Sequence, residues 1–132
     1  MKIDHVKCID CPEIGDPEIY GELKAQAYVD GQAQSPRARW SRSESNPLEV
    51  KDGQAYGIGT SETVQLYKPN YNTDYIKVSG WIKEHDGASQ DDDFGSDSEK
   101  IELNKLSLNV PYTVYLGFDG SVEAKFTLTR LE

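Results

Sequence analysis

Alternation of apolar and polar residues with a period of two constrains this chain most. In "IYGELKAQAYVDG", Ile19, Gly21, Leu23, Ala25, Ala27 and Val29 fall on one side, and Tyr20, Glu22, Lys24, Gln26 and Tyr28 on the other. "DYIKVSGWIKE" repeats the pattern, with Ile76, Val78, Gly80 and Ile82 against Tyr75, Lys77, Ser79 and Trp81. Val114, Leu116 and Phe118 share a side, as do Val122, Ala124, Phe126 and Leu128. Successive side chains of a strand point to opposite faces, so each segment reads as a half-buried strand. Between the last two, "FDGS" has the composition of a hairpin turn.

Shorter segments complete the set. "KIDHVKC", "QSPRARWSR", "ETVQLYK" and "EKIEL" are expected as strands, separated by turn residues in "DGQ" (twice), "SNP", "KPNYN" and "NVPY". No segment has a helical apolar period. About eight short strands with turns between them predict an all-β fold, an eight-stranded antiparallel β-sandwich. The 132 residues fit a single domain spanning 1–132. Only 36% of them are hydrophobic, so the core depends on that alternation being kept. The eight tyrosines suit half-buried strand positions.

The charge narrows the partners. A formal net charge of −9 and a pI near 4.7 leave no basic stripe to displace phosphate counterions, so no nucleic acid is expected. The same charge opposes unaided binding to anionic lipid and favours cations. No apolar run is long enough to span a bilayer, and "MKIDHVKC" lacks the apolar segment of a signal peptide. A cytosolic protein and a domain of a longer exported protein both remain open.

The two cysteines lie in "CIDC", Cys8 and Cys11. A CxxC is a redox motif, half of a zinc site, or two unrelated residues. His5, Cys8 and Cys11, with His85 as a fourth donor, give one possible zinc set, but no second CxxC follows. A thioredoxin-like motif needs a helix directly after it, and "PEIGDPEIYG" does not begin one. Cys8 is expected to face the core and Cys11 to lie in a loop.

Carboxylates gather after two of the strands. Asp10 and Asp16 bracket the loop in "DCPEIGD". Glu84, Asp86 and Asp92 punctuate "EHDGASQDDDFGSD". Brought together at one end of a sandwich, five carboxylates repel one another unless a cation or protons intervene. Calcium, which accepts six to eight oxygens in flexible geometry, fits such a set. An EF-hand count through Asp91, Asp93, Asp97 and Glu102 fails at Ser96, where that loop needs glycine, and its flanks are not helical. The competing interpretation is a solvated acidic loop without metal. Asp91, Asp93 and Asp97 are expected to be solvated or to surround the ligands. Trp81, on the outer side of its strand, is expected to pack against a neighbouring strand, the alternative being exposure for binding.

These motifs resemble the C2 domain, the calcium-dependent lipid-binding sandwich. "Asp10-CPEIG-Asp16-Pro17-Glu18-Ile19-Tyr20" resembles the family's first calcium loop, with the tyrosine one place late. Glu84, Asp86, Ser89, Asp92 and Gly95 match the spacing of its third loop, with Glu84 where the family prefers aspartate. A first strand leading straight into the first loop is similar to the family's type II topology. The chain is also similar to C2-like sandwiches of bacterial secreted proteins, including cytolysin-like ones.

The resemblance implies a C2-like Greek-key sandwich in which Asp10, Glu84, Asp86 and Asp92 bridge calcium and Asp16 completes an outer site. The His85 carbonyl and Ser89 would assist. It also implies a non-enzymatic module attaching, with calcium, to anionic phospholipid head groups or to a surface protein or glycan, outside the cell or peripheral to a membrane. The loop tips offer only Ile14 as a bulky apolar residue, so any insertion would be shallow. The alternative is a structural or adhesion sandwich of a secreted protein in which calcium only stabilises the loops. No nucleophile-elbow or metalloprotease motif supports catalysis, although carboxylate pairs and His5 or His85 could serve as acids and bases.

Overall fold

A computed structural model describes residues 1–11, 16–86 and 91–131. Ten strands are described: β1 (Lys2–Cys8), β2 (Glu18–Val29), β3 (Gln32–Ala33), β4 (Ala38–Arg42), β5 (Leu48–Glu49), β6 (Ala55–Ser61), β7 (Tyr75–Glu84), β8 (Asp92–Glu102), β9 (Tyr112–Phe118) and β10 (Val122–Leu128). A single turn of 3₁₀ helix, Leu103–Lys105, follows β8. One sheet runs β6-β1-β10-β9 and the other β3-β2-β7-β8, with β4 and β5 also paired to β2. Every ladder is antiparallel. Two antiparallel sheets packed on one core make this the expected β-sandwich.

The alternating residues meet between the sheets. Val114, Leu116, Phe118, Val122, Ala124, Phe126 and Leu128 are buried from one side, and Ile19, Leu23, Ala25, Ala27, Ile76, Val78 and Ile82 from the other. The "FDGS" turn closes β9 onto β10, the Ser121 N–H donating to the Phe118 carbonyl at 3.0 Å. In the middle of the second sheet the backbones of β2 and β7 come so close that a Cβ on Gly21 would stand 2.0 Å from the Trp81 carbonyl oxygen. With φ at +148°, Gly21 is there for space and for conformation.

Three strands lie outside the sequence expectation, and one expected strand is missing. Residues 62–74 contain no strand, although "ETVQLYK" alternates; Val64 and Leu66 pack against the core from irregular chain. The strand is β6, just before, an edge with only Ile58 packed inward, so its sequence "AYGIGTS" carries little alternation. The pieces β3 and β5 are two residues each and hold their places through β2.

The acidic run proves to be largely strand. "EKIEL" is only the end of β8, which starts at Asp92 and buries just Phe94 and Ile101. As the edge of its sheet, β8 exposes most of its length, and its charges discourage pairing with a second chain. Its register slips opposite Ile82, where Phe94 and Gly95 face one residue of β7. Gly95, at φ +80°, supplies the backbone conformation of that bulge. Asp97, expected to be solvated or to surround the ligands, is exposed and also accepts a hydrogen bond from the Gly117 N–H of β9 at 3.1 Å, linking the two sheets.

Cys8 faces the core and Cys11 lies beyond β1, as expected, but the two form a disulfide and both are buried. Their sulfurs are therefore not thiolate ligands, which removes the zinc set built on them.

Candidate metal centre

The strand directions bring the acidic segments to one end of the sandwich. β1 ends there at Cys8, β2 begins there at Glu18, β7 ends there at Glu84 and β8 begins there at Asp92. Backbone bonds knit this end together: Val50 N–H to Pro17 O at 2.9 Å, Gly53 N–H to Cys8 O at 2.7 Å, and His85 N–H to Glu18 O at 2.7 Å. The first acidic segment passes from one sheet to the other, whereas the second joins neighbouring strands of one sheet.

The five expected ligands are distributed as follows. Glu84 is fully buried on the core side of β7, in register with Ile19 of β2 and Asp92 of β8. Asp92 is exposed at the start of its strand. Asp86 is half-buried just past β7. Asp10 and Asp16 are exposed near the two ends of the first segment. Ser89 and Ile14 lie outside the described residues.

Strand alternation turns the next residue the other way. With Ile82 and Glu84 facing the core, His85 points to the outer side of the second sheet, where it meets carboxylates from two other segments. Glu44, His85 and Asp91 have candidate ligand atoms all within 4.8 Å of one another. His85 Nδ1 stands 3.5 Å from Asp91 Oδ1 and 3.8 Å from Glu44 Oε1. Among the described residues this is the grouping of metal-binding side chains that converges, and it includes none of the five expected ligands.

Each member is held by its local chain. Glu44 sits in the tight turn after β4, closed by the Asn46 N–H donating to the Ser43 carbonyl at 3.0 Å. Asp91 accepts the Tyr20 hydroxyl at 2.7 Å and the Asp86 N–H at 2.9 Å. The Asp86 N–H, the Tyr20 hydroxyl and nearby His85 hold the Asp91 carboxyl below its ordinary pKa, against a smaller opposing effect of burial. Burial first, and then the bond to Asp91, push the Tyr20 phenol well above its usual range. Tyr20 packs edge-on against Trp81, ring centroids 6.1 Å apart, so Trp81 meets a neighbouring strand as expected while staying half open to solvent. A shallow cleft lined by Glu18, Glu44, Glu49, Ser43, Ser45, Pro47 and His85 opens beside the triad, with no lysine or arginine among its described lining residues.

Asp91 was expected only as a surrounding charge, and Glu44 had no expected role. The Glu44 contact depends on β4 and β5 both pairing with β2, which places the turn between them beside the end of β7. "SRSESNP" reveals a polar turn but not its neighbour. The outward tyrosine of β2 and the outward histidine of β7 are the available clue, since both follow from the period-two pattern. Compared with models of protein families, with curated proteins and with solved structures, the chain has no match.

Proposed function

We propose that this domain is a calcium-binding, C2-like module that attaches to anionic phospholipid or another surface ligand when calcium is bound. One observation carries this reading: both acidic segments reach the same end of the sandwich, with Glu84 buried at the end of β7 and Asp92 beside it in register. A hard cation accepts six to eight oxygen donors, which carboxylates gathered at one end of the sandwich can supply. Asp10, Asp16, Asp86 and Asp92 are the partners in this proposal. Calcium would turn an anion-repelling rim into one that holds a phosphate or carboxylate.

Two further features support the reading. Ile9, 47% exposed, sits at the same end and gives a small apolar contact for a lipid surface. The Cys8–Cys11 disulfide suits an oxidising, exported setting.

The test is thermal unfolding with calcium and with chelator, followed by sedimentation with phosphatidylserine vesicles. A ligand that binds only the native state raises the midpoint, by about 2.7 kcal/mol of stability at a hundred times its dissociation constant. An unchanged midpoint at millimolar calcium refutes calcium binding. A raised midpoint without sedimentation leaves calcium as a structural ion in an adhesion or accessory domain.

A further inference from the structure

We propose that Glu44, His85 and Asp91 bind a zinc-class transition-metal ion on the outer side of the second sheet, separately from the core-facing acidic end. The distances are longer than hydrogen bonds and suit donors arranged about a metal ion. Good N–H···O bonds span about 2.7–3.2 Å. His85 Nδ1 is 3.5 Å from one carboxylate and 3.8 Å from the other, and it is enclosed without a hydrogen-bond partner among the described residues. A tetrahedral ion with bonds of about 2.0–2.2 Å spaces its donors roughly 3.3–3.6 Å apart. The shorter separation falls in that interval. The longer one closes with a small rotation of Glu44, whose side chain is 61% exposed and free to turn.

Donor chemistry selects the class of metal. Calcium and magnesium take oxygen donors, whereas an imidazole nitrogen favours zinc and its transition-metal neighbours. One imidazole and two carboxylates neutralise a divalent ion. Asp91 is fixed from behind by the Tyr20 hydroxyl at 2.7 Å and the Asp86 N–H at 2.9 Å, the outer support that orients a metal ligand. Three protein donors leave a fourth position on a tetrahedral ion for water or a donor from another molecule, and the acidic cleft lies beside the triad. This proposal does not depend on calcium binding at the inner face.

The experiment titrates zinc into chelator-treated protein by calorimetry and records the visible spectrum with cobalt(II) in its place. The expected result is one saturable zinc per chain and the strong visible bands of four-coordinate cobalt. Glu44→Gln and His85→Gln should each weaken zinc binding by at least about tenfold, and Tyr20→Phe by about tenfold through Asp91. His5→Gln, at the other histidine, should leave affinity unchanged. Because the Glu44 side chain is largely exposed, its variant remains folded and informative even if His85→Gln is damaged. Absence of saturable zinc, equal affinity in both ligand variants, or displacement of zinc by equimolar calcium overturns the proposal.

Discussion

Asp74 is a carboxylate with a defined structural role, and Asp74→Asn separates structural acids from metal-binding ones. It is 5% exposed, just before β7 and at the end of that strand opposite Glu84. Its Oδ1 accepts the Asp30 N–H at 2.9 Å and its Oδ2 accepts the Asn70 N–H at 2.7 Å, tying the β2–β3 turn to the chain entering β7. Asparagine keeps one carbonyl oxygen and turns its NH₂ toward the other donor. One charge-assisted bond is lost, worth about 1.5–3 kcal/mol, and a buried N–H loses its acceptor. The expected destabilisation is about 2–4 kcal/mol. At an unfolding entropy of about 2.1 cal/mol/K per residue, each kcal/mol lowers the midpoint of a chain this long by roughly 3–4 °C, so a fall of about 7–14 °C is expected. Asp74→Ala removes both acceptors and should cost at least as much. Circular dichroism melts in chelator measure the loss. Repeated with calcium or zinc, they should show the wild-type shift, because β7 puts about 30 Å between Asp74 and the metal end. A loss below about 1 kcal/mol, or a loss of the cation shift, refutes this assignment.

Two other substitutions test the frame that holds the site. Gly21→Ala pushes a methyl group into the Trp81 carbonyl across the β2–β7 pair, so it should cost about 3 kcal/mol or more and lower the midpoint by roughly 10 °C. A near-neutral result in the same melt would mean that the two strands are not so close. Asp97→Ala removes the bond to Gly117 that spans the sheets; at an exposed site this should cost about 1 kcal/mol and speed hydrogen exchange at the Gly117 amide. Unchanged exchange there would show that the bond does not form in solution.

The sequence revealed those elements whose burial follows a simple period. β2, β7, β9 and β10 each pack one face against the other sheet, so alternation in their residues reports the fold directly. Edge strands do not obey that rule. β8 buries only Phe94 and Ile101, and its bulge at Phe94 and Gly95 interrupts even that pattern, which is why the acidic run reads as loop. β6 is an edge on the other sheet, and "ETVQLYK" alternates because Val64 and Leu66 still reach the core from chain that is not laddered. The same limit applies to the triad. That Glu84 and His85 face opposite ways follows from period two, but the arrival of Glu44 depends on which strand pairs with β2, a long-range fact with no local sequence signature.

Adjacent residues on opposite faces make the two metal readings separable by experiment. Glu84 is inside the sandwich and His85 outside it, although one peptide bond joins them. Glu84→Gln keeps the size of the buried side chain and removes its charge, so it should abolish most of the calcium-dependent rise in midpoint. It leaves the outer donors intact and should not change zinc affinity. His85→Gln should do the reverse, since calcium at the inner face uses oxygen donors and needs no imidazole ring. If the sites are independent, the double variant shows both losses, adding within about 0.5 kcal/mol. If instead each substitution weakens both ions, the acidic end holds a single metal pool in which the faces of β7 do not matter, and the division drawn from strand alternation is wrong. The crossed titration therefore tests the geometry itself: a carboxylate and an imidazole at neighbouring sequence positions, sorted into two sites by the side of the strand on which each residue falls.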